Sequence, residues 1–236
     1  MSHPVFLRAD LSGDRLVLDG PEGRHAALVK RIRVGEEVEL VDGLGSRCGC
    51  VVVATTKDTV TCEVATRVLE PAPSPRVTLV QALAKGDRGE LAVELATEVG
   101  VDEVVPWAAA RCVVQWSGDR GAKALERWRS TAREAGKQSR RAWFPVVQEP
   151  SGTADLLTLP GQLLVLHEAA SLSLSSVDLS TDVVLVVGPE GGITPEELEV
   201  FQAAGALVAR LGPSVLRTST AGAVAAAVVS SRTGRW

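Results

Sequence analysis

Alternation of apolar and polar positions dominates the first 70 residues of the chain and predicts short strands that bury one face. Strands are predicted at residues 15–18, 37–41, 48–54 and 60–64. Turn signals such as Asp42-Gly43-Leu44-Gly45 separate them. One helix is predicted from Pro21 to about Ile32, ending before Gly35. These elements together predict a small β-barrel that carries one helix.

From residue 77 onward, fully apolar runs alternate with segments of helical periodicity. Val183-Val184-Leu185-Val186-Val187 is apolar on both faces, as a strand between two helical layers must be. Strands are predicted at residues 77–84, 103–107, 163–167, 183–187 and 207–211. Between the first two, apolar residues recur every four positions from Leu91 to Val99, and Gly100 provides a helix stop. The alternation predicts an α/β domain with a mainly parallel sheet.

A proline-rich segment, Glu70-Pro71-Ala72-Pro73-Ser74-Pro75, separates these two patterns. Closely spaced prolines can continue neither a helix nor a central strand. We therefore predict a barrel over residues 1–70, a linker over 71–76 and an α/β domain over 77–236.

The composition excludes several classes of protein. With 45% hydrophobic and 23% charged residues, the chain is close to globular averages, so it is neither collagen-like nor disordered. No charge-free stretch reaches the roughly 18 residues that a membrane span needs, and the N-terminus has no apolar signal-peptide core. The cysteines form no CxxC pair, so we expect no metal site, reduced thiols and a cytoplasmic protein. They are Cys48, Cys50, Cys62 and Cys112.

The most informative loop, Gly188-Pro189-Glu190-Gly191-Gly192, follows the apolar run at 183–187. Its glycines allow the backbone to approach a ligand closely, and their N–H groups can donate hydrogen bonds. A helix is predicted directly after it, with Thr194 as the N-cap and Glu197 completing a capping box. Because open α/β sheets bind ligands at the carboxyl ends of their strands, the loop is a candidate ligand site. A tight turn that needs glycine is the alternative.

A second loop, residues 212–220, follows the predicted strand at 207–211 and leads into a helix of small apolar residues at 221–229. Such a helix is normally buried, in its own core or against a second subunit. Arg217 lies between the loop and the helix, where its guanidinium needs an anion, a carboxylate or water as a partner. A surface arginine or a structural salt bridge is the alternative. Phosphate-loop, dinucleotide-binding and hydrolase-elbow motifs are absent from the sequence.

Positive charge is concentrated in two segments of a chain whose net charge is −4. Residues 120–141 carry a charge of +6, and their basic residues at 129, 133, 137 and 141 recur every four positions. The second cluster comprises Arg24, His25, Lys30, Arg31 and Arg33 on the first predicted helix. Two basic faces on an acidic protein favour binding to a phosphate backbone, and ordinary solvated helix faces are the alternative.

Five stretches carry a family resemblance: RHAALVKRIRVGEEVELVDGLG at 24–45, KGDRGELAVELATEVGVDEVVP at 85–106, REAGKQSRR at 133–141, GPEGGITPEE at 188–197 and LGPSVLRTSTA at 211–221. The chain resembles the bacterial 16S ribosomal RNA uracil-N3 methyltransferases, the small subunit methyltransferase E family of the SPOUT superfamily. The stretches occur in family order over nearly the whole chain, and GPEGGITPEE is highly specific.

The resemblance implies an N-terminal PUA-like barrel for RNA and a C-terminal α/β domain whose last strands and helix form a trefoil knot. It implies a homodimer with packed knot helices, and S-adenosylmethionine (SAM) held largely by the backbone of three loops. The implied cofactor residues are Leu166, His167, Glu168, Gly188, Pro189, Glu190, Gly191, Gly192, Leu211, Gly212, Ser214, Val215 and Leu216. Charge and resemblance together predict RNA contacts at Arg24, His25, Lys30, Arg31, Arg33, Lys85, Arg88, Arg129, Arg133, Lys137, Arg140 and Arg141.

Two positions depart from the family pattern. Ser214 occupies a place where arginine is common, and Ser219 one where glutamate is common. Loss of both members of a charge pair is nearly neutral, whereas loss of one leaves the other unpaired. The double change therefore suggests that these two charges form a structural pair in similar proteins.

The expected reaction is SAM-dependent methylation of N3 of one uridine in 16S ribosomal RNA of the small subunit. The N3 edge takes part in base pairing, so the uridine must be unpaired or flipped out. Arg217 is the candidate catalytic residue, because a cation can stabilise the charge that develops on the uracil oxygens. Two alternatives remain open. One is a knotted methyltransferase acting on another RNA position, such as a ribose 2′-hydroxyl; the other is an RNA-binding assembly factor without catalytic activity.

Overall fold

The computed structural model describes residues 3–179 and 181–236, which divide into two compact units. The first unit contains the chain up to Ala72 together with residues 136–144, and the second contains residues 73–135 and 145–236. The unit boundary lies within the predicted linker. The sequence predicted an uninterrupted second domain, and the assignment of residues 136–144 to the first unit corrects that prediction.

The first unit is built on a five-stranded sheet with the strand order β1-β3-β4-β5-β2. Its strands are β1 (Val5–Leu7), β2 (Arg15–Leu18), β3 (Glu37–Val41), β4 (Ser46–Thr55) and β5 (Val60–Leu69). β1 runs parallel to β3, and the other pairs are antiparallel. Alternate side chains enter a core around Phe6, Leu16, Leu40 and Val52, which is the period-2 burial that the sequence predicted.

Hydrogen bonding leaves this sheet open, whereas the sequence predicted a barrel. No strand pairing joins the edge strands β1 and β2 within the described residues. A side chain spans the gap instead: the Arg8 guanidinium, directly after β1, donates to the carbonyl of Val17 in β2 at 2.5 Å. β1 has only 3 residues, and all of them pair with β3.

The predicted helix of the first unit is shorter than expected and changes form. α1 (Gly20–Arg24) continues as a π-helical turn, His25–Val29, in which the N–H of Lys30 donates to the carbonyl of His25 at 2.9 Å. Arg31 then adopts a φ of 56°, which ends the helix and lets Ile32 pack into the core. Arg31 and Arg33 therefore lie beyond the helix, which corrects the prediction that both belong to it.

Two hydrogen bonds to residues that are distant in sequence explain why residues 136–144 belong to the first unit. The indole N–H of Trp143 donates to the carbonyl of Glu70 at 3.0 Å, and the N–H of Phe144 donates to the carbonyl of Gly43 at 2.9 Å. A Cβ on Gly45 would lie 2.6 Å from the Trp143 ring, so glycine is required for this contact. These partners are distant in sequence, and no local pattern marks them.

The second unit contains a seven-stranded sheet with the order β10-β12-β9-β11-β6-β7-β8. Every pair is parallel, which confirms the predicted mainly parallel sheet. The strands are β6 (Val77–Ala82), β7 (Glu103–Trp107), β8 (Val146–Val147), β9 (Gln162–Leu166), β10 (Leu172–Ser173), β11 (Val183–Val187) and β12 (Leu207–Arg210). β8 and β10 were not predicted, since two residues carry no periodicity.

Helices cover both faces of the sheet. They are α2 (Arg88–Glu98), α3 (Gly118–Gln138), α4 (Thr153–Leu156), α5 (Pro195–Ala203) and α6 (Thr218–Thr233). Val183, Leu185 and Val187 of β11 belong to one apolar core, and Val184 and Val186 belong to another, so both faces are buried as predicted. Within the described residues, no helix has the length and apolarity to cross a membrane, and no three potential ligands form a metal site.

The buried thiols of the first unit allow a test of its packing. Burial raises the pKa of Cys62 to about 11, and burial with the neighbouring thiols of Cys62 and Cys48 raises that of Cys50 to about 12. Because the thiolate is the reactive form, we expect neither to react with Ellman's reagent at pH 8 in the folded protein, and both to react in denaturant. Rapid labelling of the folded protein at Cys50 or Cys62 would contradict the tight core.

Candidate active site

A cleft of about 600 Å³ opens at the carboxyl ends of β9, β11 and β12 in the second unit. These three strands are neighbours in the sheet, so the loops that follow them converge. Every residue predicted for the cofactor lines this cleft, namely residues 166–168, 188–192, 211–212 and 214–216. Arg217 and Arg88 line it as well. The predicted cofactor residues alone are up to 50 positions apart in the sequence, and Arg88 precedes the first of them by a further 78 positions.

The glycine-rich loop combines a tight turn with a cleft wall. Gly192 has a φ of 75°, and its N–H donates to the carbonyl of Pro189 at 2.9 Å. A Cβ on Gly188 would lie 2.7 Å from Ile193 Cγ1, so this position also needs glycine. The loop is therefore a tight turn and also forms part of the candidate ligand site. The Gly192 N–H, however, is used inside the turn, whereas the sequence assigned it to a ligand.

Glu190 ties the same loop to the start of α2. Its carboxylate accepts hydrogen bonds from the Lys85 N–H at 3.3 Å and from the Arg88 guanidinium at 3.2 Å. Burial acts to raise the pKa of the Glu190 carboxyl, but these hydrogen bonds and one from its own N–H outweigh it, so the pKa lies below its ordinary value. Arg88, predicted to contact RNA, is thus an ion-pair partner of Glu190 at the edge of the cleft.

The predicted capping box at the start of α5 is confirmed. Thr194 Oγ1 accepts from the Glu197 N–H at 3.1 Å, and Glu197 Oε2 accepts from the Thr194 N–H at 3.1 Å. The other carboxylate oxygen of Glu197 accepts from the Ala110 N–H at 2.8 Å. The box therefore also fixes the loop after β7 beside the glycine-rich loop.

Arg217 precedes α6 and lines the cleft with an exposed side chain. Its carbonyl accepts from the N–H groups of Thr220 and Ala221, both at 3.0 Å, so the backbone is held while the guanidinium extends outward. No carboxylate in the described part of the chain forms an ion pair with it, which argues against the structural salt bridge considered from the sequence. The geometry leaves its positive charge available to an anion in the cleft.

Sequence reasoning missed Arg111 and Arg210, which also line the cleft. The Arg111 guanidinium donates to the carbonyl of Gly191 at 3.1 Å. Arg111 follows β7 at the same edge of the sheet as the predicted loops. An examination of the charged residues after every predicted strand could have identified it.

His167 is held by its backbone and its ring. Its N–H donates to the carbonyl of Ala209 at 3.0 Å, and its Nδ1 accepts from the Ala169 N–H at 3.2 Å. An Nδ1 that accepts a hydrogen bond leaves the proton of a neutral imidazole on Nε2. Both the backbone and the ring of His167 are thus fixed at the end of β9.

The basic cluster on α3 is only partly exposed, which corrects the prediction of a continuous basic face. The Lys137 side chain is 7% exposed, and its ammonium lies 2.6 Å from the Glu22 carboxylate within the first unit, so it is not available to RNA. Arg129 pairs with both Glu126 and Glu149. α3 ends at Gln138, so the two basic residues at 140 and 141 lie beyond it.

The other predicted RNA residues are on the surface. Arg24, Lys30, Arg31, Arg33, Lys85, Arg133 and Arg140 are exposed. His25 and Arg141 are half-buried, and the His25 ring packs edge-on against Phe6 with the ring centres 5.9 Å apart.

The two serines that depart from the family pattern differ in their surroundings. Ser214 is exposed on the cleft, whereas Ser219 is 3% exposed in the first turn of α6. The charge pair suggested for similar proteins stays a prediction.

Two family models match the chain. A model described as an RNA methyltransferase domain matches residues 70–230, and one described as an RNA methyltransferase PUA domain matches residues 18–65. The first covers well over half of the chain and contains the whole cleft.

Curated relatives share one name. The chain is 46% identical to ribosomal RNA small subunit methyltransferase E of Mycobacterium bovis, over 95% of this chain and 89% of the relative. It is 31% identical to the protein of the same name from Bacillus subtilis, over 92% of this chain and 90% of the relative.

Solved structures of similar proteins have the same fold as this chain. The ribosomal RNA small subunit methyltransferase E of Neisseria gonorrhoeae, bound to S-adenosyl methionine, aligns with a TM-score of 0.88 at 28% identity, covering 98% of both chains. A Legionella pneumophila protein in complex with the bound cofactor SAM aligns with a TM-score of 0.90 at 28% identity, again over 98% of both chains. With this fold, this cleft and these relatives, the chain belongs to the RNA methyltransferase family, in the group named ribosomal RNA small subunit methyltransferase E.

Proposed function

We propose that this protein transfers a methyl group from SAM to N3 of one uridine in 16S ribosomal RNA of the small subunit. The observation that carries the proposal is the cleft at the ends of β9, β11 and β12, with Arg217 on its wall and no ion-pair partner for it in the described part of the chain. The relatives named for small subunit methylation and the neighbours solved with SAM support the same activity.

The residues of the cleft fit SAM. Its volume of about 600 Å³ is in the range of small-molecule sites. Leu166, Leu211 and Ile193 offer apolar surface for a purine ring, and the carboxylate of Glu168 suits a positively charged ligand. SAM supplies, when bound, a methyl group on a sulfonium that is already an activated leaving group.

The protein's own part in the reaction is charge stabilisation and positioning. Uridine N3–H is a weak acid, and the nitrogen reacts well only when the proton is lost and negative charge spreads to the uracil oxygens. Arg217 stabilises this charge, since no carboxylate among the described residues neutralises its guanidinium. The loops that hold the methyl donor supply the remaining rate acceleration by aligning the methyl group with N3.

The first unit is proposed to bind RNA. Its proposed bounds are residues 1–70, as predicted from the sequence, with residues 136–144 added. Arg24, Lys30, Arg31 and Arg33 are exposed on it and attract phosphates. We also propose that the protein acts in the cytoplasm, because its proposed substrate is ribosomal RNA of the small subunit.

A homodimer and a trefoil knot are also proposed for the second unit. On α6, Val224 is 42% exposed although Ala225 and Val229 are fully buried, and Leu91 on α2 is 40% exposed. A partner chain would cover this apolar surface. The knot is supported by the order β12-β9-β11-β6, in which the chain returns between earlier strands before α6 packs against β6 and β11.

Modification mapping tests the proposed function directly. Ribosomal RNA from cells that lack this protein is expected to lose one N3-methyluridine in the 16S molecule, and the wild-type chain is expected to restore it. An unchanged modification pattern would refute the proposal. Retained binding to small subunits with no modification would favour the non-catalytic assembly factor, and a lost ribose methylation would favour a different target atom.

A further inference from the structure

Gln81 is a fully buried polar residue in a strand that is otherwise nearly all apolar. It is 0% exposed in β6, between Val187 of β11 and Pro106 of β7 in the strand register. Its side-chain oxygen Oε1 has no hydrogen-bond partner in the described residues. An unpaired buried acceptor lowers stability, so a glutamine here calls for an explanation other than packing.

The amide of Gln81 begins a directed chain of hydrogen bonds that ends at the cleft. Its Nε2 donates to Thr218 Oγ1 at 2.9 Å, and Thr218 Oγ1 donates to the carbonyl of Gly188 at 2.8 Å. Nε2 also donates to the carbonyl of Ala82 at 3.2 Å, a contact that only an N–H can make, which fixes the orientation of the amide. A threonine hydroxyl has one proton, so the direction of the chain is determined.

This series of hydrogen bonds anchors a peptide group that offers only its carbonyl for hydrogen bonding. The peptide between Gly188 and Pro189 lacks an N–H, so its carbonyl is the group by which the surroundings can hold it. Thr218 is 7% exposed and directly follows Arg217, so water is kept from the hydroxyl that holds the carbonyl. One hydroxyl thus connects the glycine-rich loop, the Arg217 segment and the central strand β6.

We propose that Gln81 and Thr218 are positioning residues for the methyl donor. They hold the Gly188 carbonyl and the start of α6 in the one arrangement that forms the cofactor cleft. Neither side chain is assigned a chemical step. The inference rests on the proposed function, since it assumes that SAM binds in this cleft.

Thr218→Val tests this hydrogen-bond relay from Gln81 through Thr218 to the Gly188 carbonyl. Valine keeps the shape of threonine and removes only the hydroxyl. By calorimetric titration of the purified full-length protein with SAM, we expect the Kd to rise about 10-fold or more, since two buried groups lose a partner. Thr218→Ser restores the hydroxyl and is expected to stay within about 3-fold of wild type. Thr97→Val is the matched control: Thr97 is also a buried threonine, but its hydroxyl donates to the carbonyl of Val93 inside α2.

Gln81→Met is a second variant that separates positioning from stability. Methionine removes the donor and the unpaired acceptor together, so we expect the melting temperature to be maintained while the affinity for SAM falls. Because Gln81 acts through Thr218, adding Gln81→Met to Thr218→Val is expected to weaken binding little further.

The outcomes are distinguishable. If the wild type binds SAM and Thr218→Val binds it equally well, or if Thr97→Val weakens binding as much, the relay is refuted and the proposed function stands. Independent, additive losses in the double variant also refute it. A wild-type protein that is folded but gives no heat with SAM overturns the proposed function and the relay together.

Discussion

Arg217→Ala is expected to lower the rate of methyl transfer roughly 100- to 1000-fold while leaving the affinity for SAM within a few-fold of wild type. The physical reason is that the exposed guanidinium lines the cleft without an ion-pair partner in the described chain, so its charge acts on the substrate. Removal of one preorganised donor to a developing negative charge has an effect of this size in other enzymes. Single-turnover rates on purified small subunits, with Kd for SAM from calorimetry, measure the two quantities separately.

Two further variants sharpen this result. Arg217→Lys keeps the charge but loses the planar fork, and it should recover part of the rate. Arg210→Ala removes an arginine from the wall of the same cleft and should slow the reaction much less. If Arg217→Ala weakened SAM binding as much as it slowed the reaction, Arg217 would be a binding residue and not a catalytic one.

Arg235→Ala is expected to destabilise the second unit by about 3–5 kcal/mol, the usual effect of removing one member of a buried ion pair. The Arg235 side chain is 8% exposed and donates to both carboxylate oxygens of Asp102, at 2.6 and 3.0 Å. It also donates to the carbonyls of Gly100 and Pro75, at 2.7 and 2.8 Å. The last turn of the chain is thereby joined to the beginnings of β6 and β7. Denaturant titration of the purified protein measures the change.

Arg232→Ala is the matched control for this prediction. Arg232 is in the last turn of α6 and is exposed, with one hydrogen bond to the carbonyl of Leu174. Its loss should change the free energy of unfolding by less than about 1 kcal/mol. Similar losses for the two variants would show that the buried pair with Asp102 contributes little.

Periodicity was sufficient for the strands that carry the site. The bounds predicted for β7 and β11 agree with the structure, because a strand buried between two layers is apolar on both faces, and Gly188-Pro189 directly after β11 marks its end. The capping box after the glycine-rich loop was equally readable, since Thr194 and Glu197 interact within one helical turn. The loops around the cleft, by contrast, were assigned to the cofactor through family resemblance.

The errors share a cause, which is that the partner of each residue is remote in sequence. Lys137 has the spacing of an exposed basic face, but Glu22 neutralises it in the interior of the first unit. Trp143 follows an ordinary helix end, and its bond to Glu70 places its segment in the first unit. Arg111 was overlooked because its contact with Gly191 spans 80 positions.

The sequence by itself determined the parallel α/β sheet, the strand-rich first unit and the glycine-rich loop at a strand end, because each follows from side-chain periodicity or from the conformational freedom of glycine over a few residues. Only the tertiary structure decided which charges are free and which are neutralised. Burial and pairing depend on groups that the fold brings together. It is therefore the fold that exposes Arg217 on the cleft, buries Lys137 against Glu22, and sets Gln81 and Thr218 behind the Gly188 carbonyl.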